Sequence, residues 1–185
     1  LWAGTDDGRV HVTFDDGGTW QDITPKKGDG LYVAHLEASH HDAKTAYCAI
    51  DGHRSDDFAP RVLMVSGGKW KVVSGDLPAG SPGRVVREDP ANPDLLYCGT
   101  EHGAFVTFDR GKHWLPLGGK SLPTVPVYDL AYQAREKDLV AGTHGRSIWI
   151  MDGLGCLPAL AAHKEDALKV FTVAGAEPGL YGFRG

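Results

Sequence analysis

The residues of this chain with a capacity for chemistry fall into four short stretches: Thr5-Asp6-Asp7, the run Asp51–Asp57, Thr100-Glu101-His102 and Thr143-His144-Gly145-Arg146. They carry carboxylates, imidazoles and guanidinium groups, which three kinds of chemistry could use. Glycoside hydrolysis needs two carboxylates about 5–10 Å apart across a sugar. Asp56, Asp57 and Glu101 are the candidates for such a pair, with Asp6 as a further carboxylate. Metal binding needs converging nitrogen, sulfur or oxygen ligands. His40-His41-Asp42, His53, His102 and His144 are of the right types, but the first group stands where a later repeat has "PANPD", a polar link, so exposed loop histidines are the expectation. Ser147 lies outside any G-x-S-x-G elbow, so a serine nucleophile has no support. What remains is recognition, with Asp6, Asp7, His53, Arg54, Glu101, His102, His144 and Arg146 forming a rim that grips a ligand. No metal and no cofactor are expected.

These stretches sit at matching places in an internal repeat. "AGTDDGRVHVTFD" from Ala3, "CGTEHGAFVTFD" from Cys98 and "AGTHGRSIWIMD" from Ala141 align, and "CAIDGHRSDDFAPRVLMVS" from Cys48 fits the same slot with a longer central loop. Each is an apolar strand, a glycine-containing turn and a second apolar strand. A further strand is expected on either side: "LYVAHLEA", "GRVVRED" and "VYDLAYQ" upstream, "WQDIT", "WKVVS" and "HWLPL" downstream. Four short strands over roughly 45 residues match a β-propeller blade. The expected class is therefore all-β, with blade one (1–24) lacking its first strand, blade two at 31–74, blade three at 83–117 and blade four from 125 to about 174. Residues 1–155 would be the blades. Residues 156–185 would be a linker with a short helix near 158–168, a closing strand "LKVFTVA" and a loose "EPGLYGFRG" tail. About three and three-quarter blades leave open strand edges, so a homodimer that completes a ring is expected.

One nine-residue phrase occurs twice, "VTFDDGGTW" ending at Trp20 and "VTFDRGKHW" ending at Trp114. Asp15 and Asp109 can accept hydrogen bonds from backbone N–H groups inside a tight turn. Gly17 and Gly111 permit positive φ there. Trp20 and Trp114 would then fold down between blades and bury a large ring. The phrase reads as architecture at the outer end of a blade. Blade two keeps Trp70 but has a Gly67-Gly68 hairpin where the aspartate would be.

The spacing S/T-x-D-x-G-x-x-W in both phrases resembles the Asp-box of BNR or sialidase-type propellers. "DGHRSDDFAPRV", "REDPANPDLLYCGTEHGAFVTFDRGKHW", "LPTVPVYDLA" and "LVAGTHGRSIWIMD" make the chain similar to bacterial sortilin-like (VPS10-type) BNR-repeat proteins, over most of residues 1–152. That resemblance implies a C-terminal slice of a larger propeller, a secreted or periplasmic setting, and a peptide, protein segment or glycan held in the channel or at the rim. Its competing implication is a BNR or sialidase-type glycoside hydrolase, or an inactive fragment of one. Against a sialidase, the expected rim arginines are few (Arg9, Arg54, Arg61 and Arg146), and no Arg-Ile-Pro motif leads the repeats.

Composition agrees with a folded binding module. The chain has 185 residues, a formal charge of −5, 42% hydrophobic residues and 25 glycines, which allows a real core and many turns. Without a basic excess, no nucleic-acid partner is expected. No apolar run approaches the roughly 20 residues of a membrane span. Cys48, Cys98 and Cys156 form no CxxC pair, and the first two occupy equivalent strands as small core residues.

Overall fold

The structure is a computed structural model, described here for residues 1–26, 30–118, 122–157 and the backbone of 183–184. It is all-β, built from four antiparallel sheets arranged as successive propeller blades. Blade one holds β1 (Trp2–Gly4), β2 (Val10–Val12) and β3 (Gln21–Asp22). Blade two holds β4 (Tyr32–Ala38), β5 (Thr45–Asp51), β6 (Val62–Ser66) and β7 (Lys69–Val72). Blade three holds β8 (Gly83–Glu88), β9 (Leu96–Thr100), β10 (Gly103–Thr107) and β11 (Leu115–Pro116). Blade four holds β12 (Val127–Gln133), β13 (Asp138–Thr143), β14 (Ile148–Met151) and β15 (Phe183–Arg184).

Every sheet is an up-and-down meander in which each strand pairs with its neighbours in chain order, as consecutive strands most often do. The first strands β4, β8 and β12 stand side by side along the arc, and β1 of blade one lies against β4. The outermost place of blade four is taken by Phe183–Arg184, paired with Ile150 and Met151. The segment expected to be loose therefore contributes a strand. The closing strand expected at 168–174 and the helix expected at 158–168 lie outside the described residues.

Apolar side chains seal each joint between blades. Tyr47, Ala49, Val62, Val73 and Leu77 of blade two meet Val86, Leu96, Cys98, Phe105 and Trp114 of blade three in one buried cluster. Cys48 and Cys98 occupy equivalent registers, and burial pushes both thiols up to about 12, so both act as small apolar fillers. Buried carboxylates tie the links between blades. Glu88 accepts hydrogen bonds from Tyr47 Oη (3.0 Å), Ser39 Oγ (2.7 Å) and the His40 amide (2.6 Å). Asp89 does the same locally for Tyr97 Oη (3.0 Å) and the amides of Ala91 and Asn92 (2.8 and 3.1 Å). Desolvation first, and these carboxylates second, raise both tyrosine hydroxyls well above their ordinary range.

The twice-written phrase folds into the same turn twice. Asp15 Oδ1 accepts from Thr13 Oγ1 (2.7 Å) and the Thr19 amide (2.8 Å), while Oδ2 accepts from Thr19 Oγ1 (2.6 Å). Asp109 repeats this with Thr107 Oγ1 (2.8 Å), the His113 amide (2.9 Å) and His113 Nδ1 (2.6 Å). A histidine ring thus fills the position of a threonine hydroxyl. Gly17 and Gly111 adopt φ of +97° and +81°. In blade two the loop Gly67-Gly68, with φ of +55° and +77°, closes a two-residue hairpin between Ser66 and Lys69.

The tryptophans that follow do not share one fate. Trp114 is buried and donates from Nε1 to the Val73 carbonyl of blade two (3.0 Å), and Trp70 donates likewise to the Ile23 carbonyl of blade one. Trp20 was expected to bury its ring in the same way, yet it is 46% exposed. The reason is geometric: each of the two paired tryptophans docks on the preceding blade, and blade one has none before it among the described residues.

Candidate functional site

The same small irregularity occurs at the start of each first strand. A β-bulge interrupts the register between Val33 and His35, between Gly83 and Val85, and between Val127 and Asp129. A bulge re-aims the extra residue away from the ladder. The bulged residues are Ala34, Arg84 and Tyr128, at the end of the sheets where the loops of residues 5–9, 52–61, 101–102 and 144–147 also turn.

Arg84 is the hub of this rim. Its guanidinium grips Asp51 of blade two and Glu101 of its own blade, the latter through Nε at 2.6 Å as well. Its Cζ stands 4.8 Å from the centroid of the Tyr128 ring. The Asp51 side chain is fully buried and also meets His53 Nδ1 at 2.5 Å. Tyr128, half-exposed, takes His144 edge-to-face with centroids 5.0 Å apart. On the other side, Arg54 lies over the Tyr32 ring at 5.1 Å. The result is a strip of rings and cations crossing three blades, Tyr32–Arg54, His53–Asp51–Arg84–Glu101 and Tyr128–His144. Phe58, half-exposed on the longest loop, adds a further apolar surface.

Of the residues singled out in the sequence, His53, Arg54, Glu101 and His144 meet in this strip. Asp7 is turned back to Thr5 Oγ1 and Arg9 within blade one's own loop, where the threonine hydroxyl first and the Arg9 charge further on hold its carboxyl below the usual range. Asp6, His102 and Arg146 are exposed at their turns. Asp57 is locked by Arg61 Nη2 (2.5 Å) and the Ala59 amide (3.1 Å), and Arg61 holds its carboxyl low. Asp56 caps the 3-10 turn His53–Ser55 in a left-handed conformation, φ 56°. Asp129, on the first strand of blade four, is taken by Arg87 (3.1 Å). Arg84, Tyr128 and Tyr32 went unrecognised in the sequence, because they lie in strand segments and only a bulge turns Arg84 and Tyr128 outward.

Behind the strip, Arg87 joins three blades with one guanidinium. It donates to Glu37 of blade two (2.7 Å) and to Asp129 and the Leu130 carbonyl of blade four (3.1 and 2.6 Å). His35 sits beside it, with Nδ1 buried and unpartnered. Burial, helped by the Arg87 charge and opposed by Asp129, brings this imidazole down to about 4. His40 and His41 turn to Glu37 (3.6 Å) and to the Asp89 carbonyl (2.9 Å). Among the described residues, no three His, Cys, Asp or Glu side chains converge in a metal-binding arrangement, and no helix is long and apolar enough to cross a membrane. An open groove of about 990 Å³ lies between blades one and two, lined by Ile23, Leu63, Trp70 and Lys71 among others. None of the strip residues lines it, and its wall is the Trp70 joint, so it is a packing seam rather than the site.

No family model and no curated protein matches the sequence. Solved structures match its fold. The GH74 xyloglucanase from Xanthomonas campestris superposes with a TM-score of 0.63 at 19% identity, over 83% of this chain and 25% of its own. YCF48 bound to D1 peptide superposes with a TM-score of 0.58 at 16% identity, over 82% of this chain and 47% of its own. The extracellular domain of BT4673, from a two component system of B. thetaiotaomicron, gives 0.56 at 12% identity, over 80% and 19%. At these identities the likeness shows the propeller fold, and the chain spans less than half the length of each of these proteins.

Proposed function

We propose that this chain is a non-enzymatic binding module that holds an extended peptide along the Tyr32-to-His144 strip, in a propeller of the Asp-box, sortilin-like kind. The observation that carries the reading is the pairing of bulged Arg84 with exposed Tyr128 and His144, a preformed platform of rings with committed charges beneath it. Rings supply contact area at low entropic cost. Arg54, which forms no ion pair among the described residues, and the exposed Arg146 supply positive charge for a ligand carboxylate. Two of the candidate carboxylates for hydrolysis are already engaged, Glu101 with Arg84 and Asp57 with Arg61, and Arg84 holds the buried Asp51 as well. A general acid in a glycosidase must reach the leaving-group oxygen, and a carboxylate held in an ion pair with a neighbouring arginine is turned away from that task. The peptide-bound YCF48 structure supports this reading by fold, and the GH74 enzymes keep a glycan as its competitor. For the assembly we propose a homodimer that completes a ring.

The test is fluorescence anisotropy with pools of labelled ten-residue peptides, acidic and neutral, alongside xyloglucan oligosaccharides. Binding to acidic pools that weakens at least tenfold in Tyr128→Ala and in Arg54→Ala is expected. Binding to saccharide alone would overturn the reading, as would release of reducing sugar that disappears in Asp56→Ala or Glu101→Ala.

A further inference from the structure

The contact between Asp51 and His53 fixes which edge of an imidazole the rim offers to a ligand. Asp51 Oδ1 accepts the His53 amide (3.0 Å), and Oδ2 accepts the Arg84 guanidinium. Guanidinium nitrogens only donate, so Oδ2 is an acceptor. His53 Nδ1 lies 2.5 Å from that oxygen and therefore carries the hydrogen of the bond, since two bare acceptors at this distance would repel. Arg84 Nη1 also lies 3.3 Å from Nδ1, but its donation is already spent on Asp51. In the neutral ring Nε2 then keeps its lone pair. This second nitrogen has no partner among the described residues, and 39% of the side chain is open to solvent while that of Asp51 is fully buried. The loop that carries the ring is braced as well. The amides of Ser55 and Asp57 both donate to the Gly52 carbonyl (2.8 and 3.1 Å), and the Asp56 amide donates to the His53 carbonyl (3.2 Å). An acceptor held in one orientation before a ligand arrives binds with little further ordering.

We propose that His53 Nε2 accepts a hydrogen bond from a backbone N–H of the bound peptide, so that the middle of the strip reads main chain while the rings on either side take side chains. This rests on the peptide-binding reading above and names the contact at its centre. Docking strips water from the N–H groups of an extended peptide, and each one buried without an acceptor is costly. Arginines cannot supply that acceptor, because Arg54 and Arg146 carry donors alone. His53 supplies an uncharged one between Tyr32 and Tyr128. A neutral N–H suits this place better than a ligand ammonium, since Arg54 is next in sequence and forms no ion pair among the described residues. Successive N–H groups of an extended chain point to opposite sides, so one alternating set faces the ring.

Two measurements on the full chain test this. Long-range proton–nitrogen correlation spectra of the nitrogen-labelled protein, with His53 assigned by its loss in His53→Phe, read the ring without any ligand. At about pH 8, above the ordinary imidazole range, the expected ring has its hydrogen on Nδ1 and a bare Nε2. The opposite tautomer overturns the proposal. The second measurement takes the tightest peptide of the labelled acidic pool and two remade versions, in which alternate amide N–H groups are replaced by ester oxygens. Anisotropy should show one ester version binding the parent roughly tenfold more weakly, the scale of a hydrogen bond lost from a buried pair. His53→Phe, with circular dichroism matching the parent, should bind the all-amide peptide weakly to a similar degree and lose little more with either ester version. A parent that binds peptide as tightly as His53→Phe does, or ester versions that weaken both proteins equally, overturns the role of His53 and leaves the peptide reading standing. A parent that binds no peptide pool overturns both.

Discussion

His35 is placed at a cost, because its buried Nδ1 has no hydrogen-bond partner among the described residues. Desolvation and the neighbouring Arg87 keep the ring neutral, with its proton affinity lowered from 6.5 to about 4. A group depressed in the folded state contributes stability above its unfolded value and loses it as the pH falls towards the folded one. The unfolding midpoint should therefore drop between pH 6.5 and pH 4, where the unfolded chain takes up a proton that the folded chain refuses. In His35→Leu that part of the slope should be absent. Midpoints recorded at half-unit intervals that fall identically in both proteins would assign the loss to other groups. At this scale the sequence marked His53, Arg54, Glu101 and His144 by chemical type and by their place in turns. It could not mark Arg84 or Tyr128, since both sit in apolar-patterned strand segments and only the bulges expose them on the rim. Trp20 failed in the opposite direction, because its sequence context equals that of Trp114 and burial depends on a neighbour that the motif does not encode.

The Asp-centred turn shows how one element behaves in two surroundings. Gly17 and Gly111 have nearly the same φ, yet a Cβ on Gly17 would find only the Trp20 ring at 3.9 Å, while one on Gly111 would lie 2.2 Å from the Val73 carbonyl of the preceding blade. Gly17→Ala should thus cost about 1 kcal/mol, the ordinary penalty of a left-handed alanine. Gly111→Ala adds a clash with backbone that cannot yield without opening the joint, so a cost of about 3 kcal/mol or more is expected. Urea denaturation of the two variants compares them directly, and equal losses would show that the turn of blade three tolerates displacement from blade two. The element itself was legible, since threonine, aspartate and glycine at fixed spacing specify their own local hydrogen bonds. Its inter-blade contact was legible only in part, through the tryptophan.

At the scale of the molecule, the blades differ in how many neighbours stabilise them. Among the described residues, blade three is packed on both flanks, whereas blade one has three strands and a neighbour on one flank. In a repeat array, stability follows the number of interfaces each unit makes. Native-state hydrogen exchange should therefore show the strongest protection in β9 and β10 and the weakest in β1–β3. Protection that is uniform, or highest in blade one, would contradict a nearest-neighbour account.

Alternating strands, glycine turns and the Thr-Asp-Gly spacing act over a few residues, so the sequence by itself determined the all-β class, the blade repeat and the turns before the last strands of blades one to three. Which tryptophan is buried, which strand closes blade four, and which arginine gathers the rim were decided only in the tertiary structure. Those outcomes turn on bulges and on the presence of a neighbouring blade, contacts between residues tens of positions apart whose energies no local pattern records.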